Sequence, residues 1–184
     1  MHDKNRVCPV ERAGGLDNWV RRILHNPRKI LGSYLKPGMI AVDVGCGPGF
    51  FAIEMARMVG ASGHVFACDL QDGMLEKVGA KIWGTPLEPI VTLHKCAEDK
   101  IGVTTQADFV LSFYMVHEVP DQEKYFREIC AMLKPGGKFL VVEPPFHVSK
   151  KEFEEMVSKA RAAGLAPGES PKVVFGRTMV FRKS

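Results

Sequence analysis

The segment Val42–Phe51, VDVGCGPGFF, sets an acid just before three glycines at alternate positions. Glycine loses much conformational freedom on folding. Three this close imply a backbone that turns sharply or lets something approach. A loop between a strand end and a helix start also offers its N–H groups to an anion. Three ligand chemistries compete for it. A nucleoside triphosphate calls for GxxxxGK[ST], with a lysine on the phosphates, and no lysine stands here. A dinucleotide prefers GxGxxG/A. Counted from Gly45 and Gly47, the third place falls on the bulky Phe50, and the third glycine comes early, at Gly49. Asp43, at the loop entrance, would repel a pyrophosphate and attract a cationic amine. A ligand carrying a carboxylate, an ammonium and a ribose suits the loop better. Asp69 supports the ribose: it closes the run HVFACD, 20 residues after Gly49, where an acid accepts hydrogen bonds from ribose hydroxyls.

The elements that must hold these groups alternate along the chain. Seven β-rich runs are predicted: Met39–Val44, His64–Asp69, Pro89–Lys95, Ala107–Phe113, Lys138–Glu143, Lys172–Phe175 and Thr178–Lys183. Between them, Phe50–Val59 is apolar nearly all round, the mark of a helix buried on more than one side. Asp121–Lys134 places Tyr125, Phe126, Ile129, Met132 and Leu133 at helical spacing, with acids in its first turn. Ser149 and Glu152 form a capping box ahead of Phe153, Met156, Val157 and Ala160. Gly176–Arg177 between the last two runs suits a two-residue hairpin turn. The expectation is an α/β protein with a Rossmann-like seven-stranded sheet, mostly parallel, closed by a C-terminal antiparallel hairpin, with helices on both faces. Residues 1–184 read as one domain. Residues 1–35 carry no strand pattern and read as a helical flap over the site, with Asp17 capping one helix and Asn26-Pro27 opening the next.

VDVGCGPG, CDLQDGML, ADFVLS and LKPGGKFLVVEP, in that order, resemble class I S-adenosylmethionine-dependent methyltransferases. Within them the likeness is to the broad group containing the ubiquinone and menaquinone C-methyltransferases, and it runs from about Leu35 to the C-terminus. The resemblance implies S-adenosylmethionine as cofactor. It implies that Asp43, Gly45, Cys46 and Gly47 contact the methionyl part, that Asp69 holds the ribose, and that Leu70 lies against the adenine. The loop that reaches the adenine edge often reads G-D-A-x in the family and reads Lys95-Cys96-Ala97-Glu98 here. Cys96 is a poor acceptor, so recognition passes to the Ala97 backbone or to Glu98. Ser112 matches a position where the backbone meets the methionyl amine.

Methyl transfer from a sulfonium is an in-line displacement governed by positioning, and a base is needed only where the acceptor must lose a proton. In SFYMVHE, which follows the fourth strand run, His117 is the candidate base and Tyr114 the second catalytic candidate. The same positions equally suit a histidine bonded into a turn and a tyrosine that walls the cavity. His147, in EPPFHVS, is a further candidate at that edge. The chain has neither the [DNS]PP[YF] of amine-methylating nucleic-acid enzymes nor a nucleophilic cysteine after the fourth strand. A small-molecule acceptor is therefore expected. A non-catalytic S-adenosylmethionine-binding protein is the alternative, and a nucleotide-dependent oxidoreductase is opposed by Phe50 and Asp43.

Bulk properties narrow this further. The 184 residues suffice for one domain with a real core. A net charge of +4 is a weak basic excess that points to no nucleic acid. No run reaches the roughly 18 apolar residues of a membrane span. Five scattered cysteines without a CxxC pattern (Cys8, Cys46, Cys68, Cys96, Cys130) suit free thiols in a reducing cytoplasm. No metal-ligand spacing is present, and neither the acceptor nor the oligomeric state is legible.

Overall fold

The computed structural model describes residues Ile23–Lys183. Seven strands form one sheet in the order β3-β2-β1-β4-β5-β7-β6. These are β1 (Ile40–Val44), β2 (His64–Asp69), β3 (Val91–Lys95), β4 (Ala107–Phe113), β5 (Leu133–Glu143), β6 (Leu165–Pro167) and β7 (Arg177–Lys183). Strands β1 to β5 pair in parallel, whereas β7 runs antiparallel to both β5 and β6.

Strand alternation divides the apolar residues between two faces. Ala41, Ala67, Phe109, Leu111, Leu140 and Val142 pack with one buried cluster, together with helices α1 (Pro27–Leu31), α2 (Ala52–Val59) and α3 (Asp72–Ile82). Val42, Val44, Val110, Phe139, Val141 and Phe181 pack with the other, under helices α4 (Gln122–Met132) and α5 (Lys150–Ala162). Phe126, Phe139 and Phe181 are almost wholly buried, and each contributes about 1.5–3 kcal/mol of burial free energy. The caps expected at Asn26 and Ser149 are present, and Asp121 adds another. Asn26 accepts from the Lys29 N–H, Asp121 from that of Lys124, and Ser149 with Glu152 makes the full capping box.

The terminal pair differs from the expectation. Lys172–Phe175 is not a strand. The partner of β7 is Leu165–Pro167, three residues that follow α5, with Leu165 opposite Lys183. The run Val173–Phe175 is β-branched and aromatic, yet it belongs to the loop between β6 and β7. There Gly176 N–H closes a turn on Val173 O (3.0 Å) and Phe175 takes a left-handed φ of 53°. Gly176-Arg177 therefore makes no two-residue hairpin. Of the predicted flap, Asp17 and Cys8 lie outside the described residues. The described part, α1, is fastened to α2 by an ion pair between Arg28 and Glu54 (3.1 Å).

Candidate functional site

Parallel strands end together at one sheet edge, where ligands of open α/β sheets bind. Here that edge holds a cavity of about 470 Å³, within the size range of small-molecule sites. Its floor is the glycine loop. Gly45 and Cys46 both donate their N–H to Cys68 O (2.9 Å each), which ties the loop to the end of β2. Gly45 has φ 74°, and a β-carbon there would lie 2.9 Å from Met115 Cγ, so only glycine allows the Met115 side chain to settle over the loop. Gly47 also has a left-handed φ, of 52°, but a β-carbon on it would meet nothing within 4 Å. The fold leaves space at that point which its own atoms do not fill.

Asp69 supports the same loop. Its Oδ2 accepts the Gly47 N–H (2.9 Å), and its Oδ1 accepts the Gln71 N–H (2.9 Å) at the entry to α3. Burial pushes its carboxyl up, opposed by these N–H bonds and by the charge of Lys95. Asp43 is buried at the end of β1 and lines the same cavity. Cys46 lines it too, its thiol pushed well up by burial and then by the carboxylates of Asp43 and Asp69.

Two groups of lining residues differ in chemistry. Phe50, Phe51, Phe113 and Tyr114 form a continuous aromatic wall, with centroids 4.4–5.0 Å apart from ring to ring. The other group comes from the loop after β3 and from the start of α4. It includes Glu98, Asp99, Lys124 and Glu128, with Lys124 paired to Asp99 (2.7 Å) and Glu128 accepting the Ile101 N–H (2.8 Å). Tyr114 itself is backbone-strained, with φ 61°. Its hydroxyl donates to Phe175 O (2.6 Å) and lies 3.3 Å from His25 Nε2, and His25 Nε2 also bonds Val174 O (2.8 Å).

Of the residues singled out in the sequence, Asp43, Gly45, Cys46, Gly47, Asp69, Leu70, Ala97, Glu98 and Tyr114 all line this one cavity. Ser112 and His117 do not. Ser112 is fully buried with its hydroxyl on Tyr125 Oη (2.5 Å), under the helix of α4. His117 sits in a short turn, Val116–Glu118, with Nδ1 on Glu143 Oε2 (2.5 Å) and its ring stacked on His147 at 5.6 Å. Glu143 is completely buried at the end of β5, and its Oε1 accepts the Val116 N–H (2.9 Å). Burial works against the charged form of His117, but the hydrogen bond and charge of Glu143 prevail, and its pKa lies above the ordinary imidazole value. The same turn sends Glu118 into the cavity lining instead. Burial pushes the Glu118 carboxyl up, Glu143 and Asp69 add to that, and His117 opposes it. Glu118 stands in the stretch SFYMVHE, but residue order alone cannot say which of two neighbours a tight turn points inward.

The site suits S-adenosylmethionine in its donor chemistry. Acids stand at the ends of β1 and β2, and open space lies over Gly47 between them. Comparisons with known proteins agree. Residues 42–141 match the family described as a methyltransferase domain. A demethylmenaquinone methyltransferase of Lactobacillus johnsonii is 34% identical over 110 residues, covering 59% of this chain and 45% of that protein. One from Halalkalibacterium halodurans is 32% identical over 109 residues, covering 59% and 44%. The chain thus matches less than half the length of these curated relatives. The solved structure of an S-adenosylmethionine-dependent methyltransferase from Aquifex aeolicus is 26% identical with a TM-score of 0.86, covering 97% of this chain and 100% of that one. An O-methyltransferase from Thermotoga maritima shares the fold at 22% identity and a TM-score of 0.68, covering 86% and 64%. The family match spans more than half of the chain and takes in the glycine loop, Asp69 and the strands that carry them, so the chain belongs to the methyltransferase-domain family, the class I S-adenosylmethionine-dependent methyltransferases.

Proposed function

We propose that this protein transfers a methyl group from S-adenosylmethionine to a small-molecule acceptor by in-line displacement. The observation that carries the reading is the pair of strand-end acids, Asp43 and Asp69, flanking the unfilled space at Gly47. When bound, the donor supplies an electrophilic methyl on a positively charged sulfur. Asp43 offers a carboxylate to its ammonium group, and Asp69 offers lone pairs to its ribose hydroxyls while still holding Gly47 and Gln71. Leu70, Ala97 and Glu98 border the adenine side. The aromatic wall excludes water and receives the acceptor. A quinone-like aromatic ring is the first acceptor to try, given the names of the curated relatives.

Where the acceptor must release a proton, Glu118 faces the cavity and is the base we favour, with a carboxyl that burial pushes above its ordinary value. His117 acts through its pair with Glu143 as a positioning residue. Within the flap read over residues 1–35, the described part, from Ile23 onward, completes the aromatic side. Supporting this, His25 packs edge-on against both Phe113 and Tyr114 (5.1 and 5.5 Å). A cytoplasmic setting accords with four free cysteines and with no membrane-spanning helix among the described residues.

The test is Gly47→Ala, measured for melting and for donor affinity on one sample. A β-carbon in left-handed backbone costs about 1–2 kcal/mol of stability and touches no other atom of the fold. Donor affinity should fall by more than about tenfold. A variant that melts early yet binds the donor normally sinks the reading. Turnover against a panel of aromatic acceptors then identifies the substrate.

A further inference from the structure

The glycine loop is tied to β2 by Cys68 O and Asp69, and from its other side by a lysine. Lys81, in the last turn of α3, donates from Nζ to Pro48 O (2.7 Å) across 33 residues of chain. A lysine near a helix C-terminus is ordinary, since the cation meets the negative end of the helix dipole. The place its ammonium reaches is not ordinary. Pro48 lines the cavity, whereas Lys81 does not. The lysine therefore reaches the cavity floor from behind.

The bond acts on one peptide plane. Gly49 N–H donates to Cys46 O (3.0 Å) and closes a four-residue turn with Gly47 and Pro48 at its centre. The Pro48–Gly49 peptide is trans, so its C=O and N–H point to opposite sides. Lys81 holds the oxygen end of that plane, and Cys46 O holds the hydrogen end. The plane is thus kept from swinging about the dihedrals on either side of it. Gly47 precedes it, in left-handed backbone and with the conformational freedom of glycine. Its own N–H is fixed by Asp69 Oδ2 (2.9 Å). Its other side is fixed by the plane that Lys81 pins.

Helix α3 joins these two fixings. Gln71 N–H, at its entry, bonds Asp69 Oδ1 (2.9 Å). Val78 packs so closely on the loop that a β-carbon on Gly49 would lie 3.0 Å from its Cγ2. Lys81 stands three residues further along, on the same helix face. The helix spans about 16 Å and runs from the acid at the end of β2 to the far limb of the loop.

We propose that Lys81 is a positioning residue for the methyl donor. Through the Pro48 carbonyl it sets the glycine loop against Asp69, and with it the open space at Gly47 that the methionyl part enters. The inference rests on the donor-binding role proposed above for that loop. Lys81 acts through Pro48 and not on the donor itself. A loop ordered beforehand spares the donor the cost of ordering it on binding.

The experiment compares the full chain with Lys81→Met, which keeps the aliphatic stem and loses the ammonium, and with Lys81→Arg, which keeps a charged donor group. Calorimetry with S-adenosylmethionine should show an affinity about tenfold weaker in Lys81→Met, and in Lys81→Arg a recovery to within about threefold of wild type. Melting temperatures of all three should agree within about 2 °C, as for a change at an exposed lysine. Amide exchange followed by NMR without donor should speed up about tenfold at Gly49 in Lys81→Met and stay unchanged in β1. Unchanged affinity or unchanged Gly49 exchange in Lys81→Met, or an affinity loss that Lys81→Arg does not recover, overturns the proposal. A Lys81→Met protein that melts early yet binds the donor normally makes Lys81 a stability tie and also overturns it. Wild-type protein that fails to bind S-adenosylmethionine overturns the function proposed above instead, and leaves Gly49 exchange to decide whether Lys81 holds the loop.

Discussion

Asp69 and Glu143 occupy the same kind of place. Each is a carboxylate that ends a parallel strand at the ligand edge, each is buried, and each accepts a backbone N–H from the loop beside it. Asp69 is 7% exposed and lines the cavity, whereas Glu143 is 0% exposed and does not. The difference lies in the second partner. Asp69 spends its other oxygen on a backbone N–H and keeps lone pairs toward open space. Glu143 meets an imidazole, which closes that side. Strand-end position makes an acid available to a ligand. The neighbour it already has decides whether it serves the ligand or the wall.

The sharpest break in this comparison is Glu143→Ala. It strands the buried Val116 N–H and takes the carboxylate from half-buried His117, and because His117 keeps contact with water the cost falls toward the lower end of the ~3–5 kcal/mol of a fully buried pair. Denaturant unfolding should report that loss, while donor affinity in the folded protein changes by less than about threefold. Asp69→Ala should do the reverse. Affinity falls by about 1.5–3 kcal/mol, the worth of hydrogen bonds to a charged group, with a smaller loss of stability. Asp69→Asn should lose less, and Glu98→Ala, at an exposed loop residue, less still. Equal affinity in wild type and both Asp69 variants would reduce Asp69 to a structural tie. The smallest effect is on pH. His117 has a raised pKa in the folded state, so its contribution is fully present below its ordinary value of ~6.5 and is lost as pH rises through the folded value. Unfolding free energy should decline across that window in wild type and lose this decline in His117→Asn. A profile unchanged by the substitution would show that the pair carries no linked proton.

The sequence shows the donor side of the site more clearly than the acceptor side. Gly45, Gly47, Asp43 and Asp69 are legible because each does its work close to its own strand end, in a loop of few residues. Glu143 was read only as the last residue of an apolar strand, since nothing in FLVVEP marks its partner 26 residues away. His117 carries the stronger sequence signal, but in the turn of three residues it is Glu118 that lines the cavity and His117 that meets Glu143. The sixth strand departs from the expectation for a related reason. Val173–Phe175 has the β-branched composition of a strand, but its carbonyls are taken by His25 and Tyr114. The three residues of β6, one of them proline, carry almost no pattern.

The links that close the aromatic wall join residues 61, 89 and 149 apart in the chain, through Tyr114, Phe175, His25 and Val174. The tie between Gly47 and Asp69 spans only 22. Loop-closure entropy grows with such separations, and non-local contacts form late. During folding the glycine loop should therefore take shape first and the tyrosine latch last. Under the function proposed above, that order would complete the donor side of the cavity before the tyrosine latch closes the aromatic wall against water.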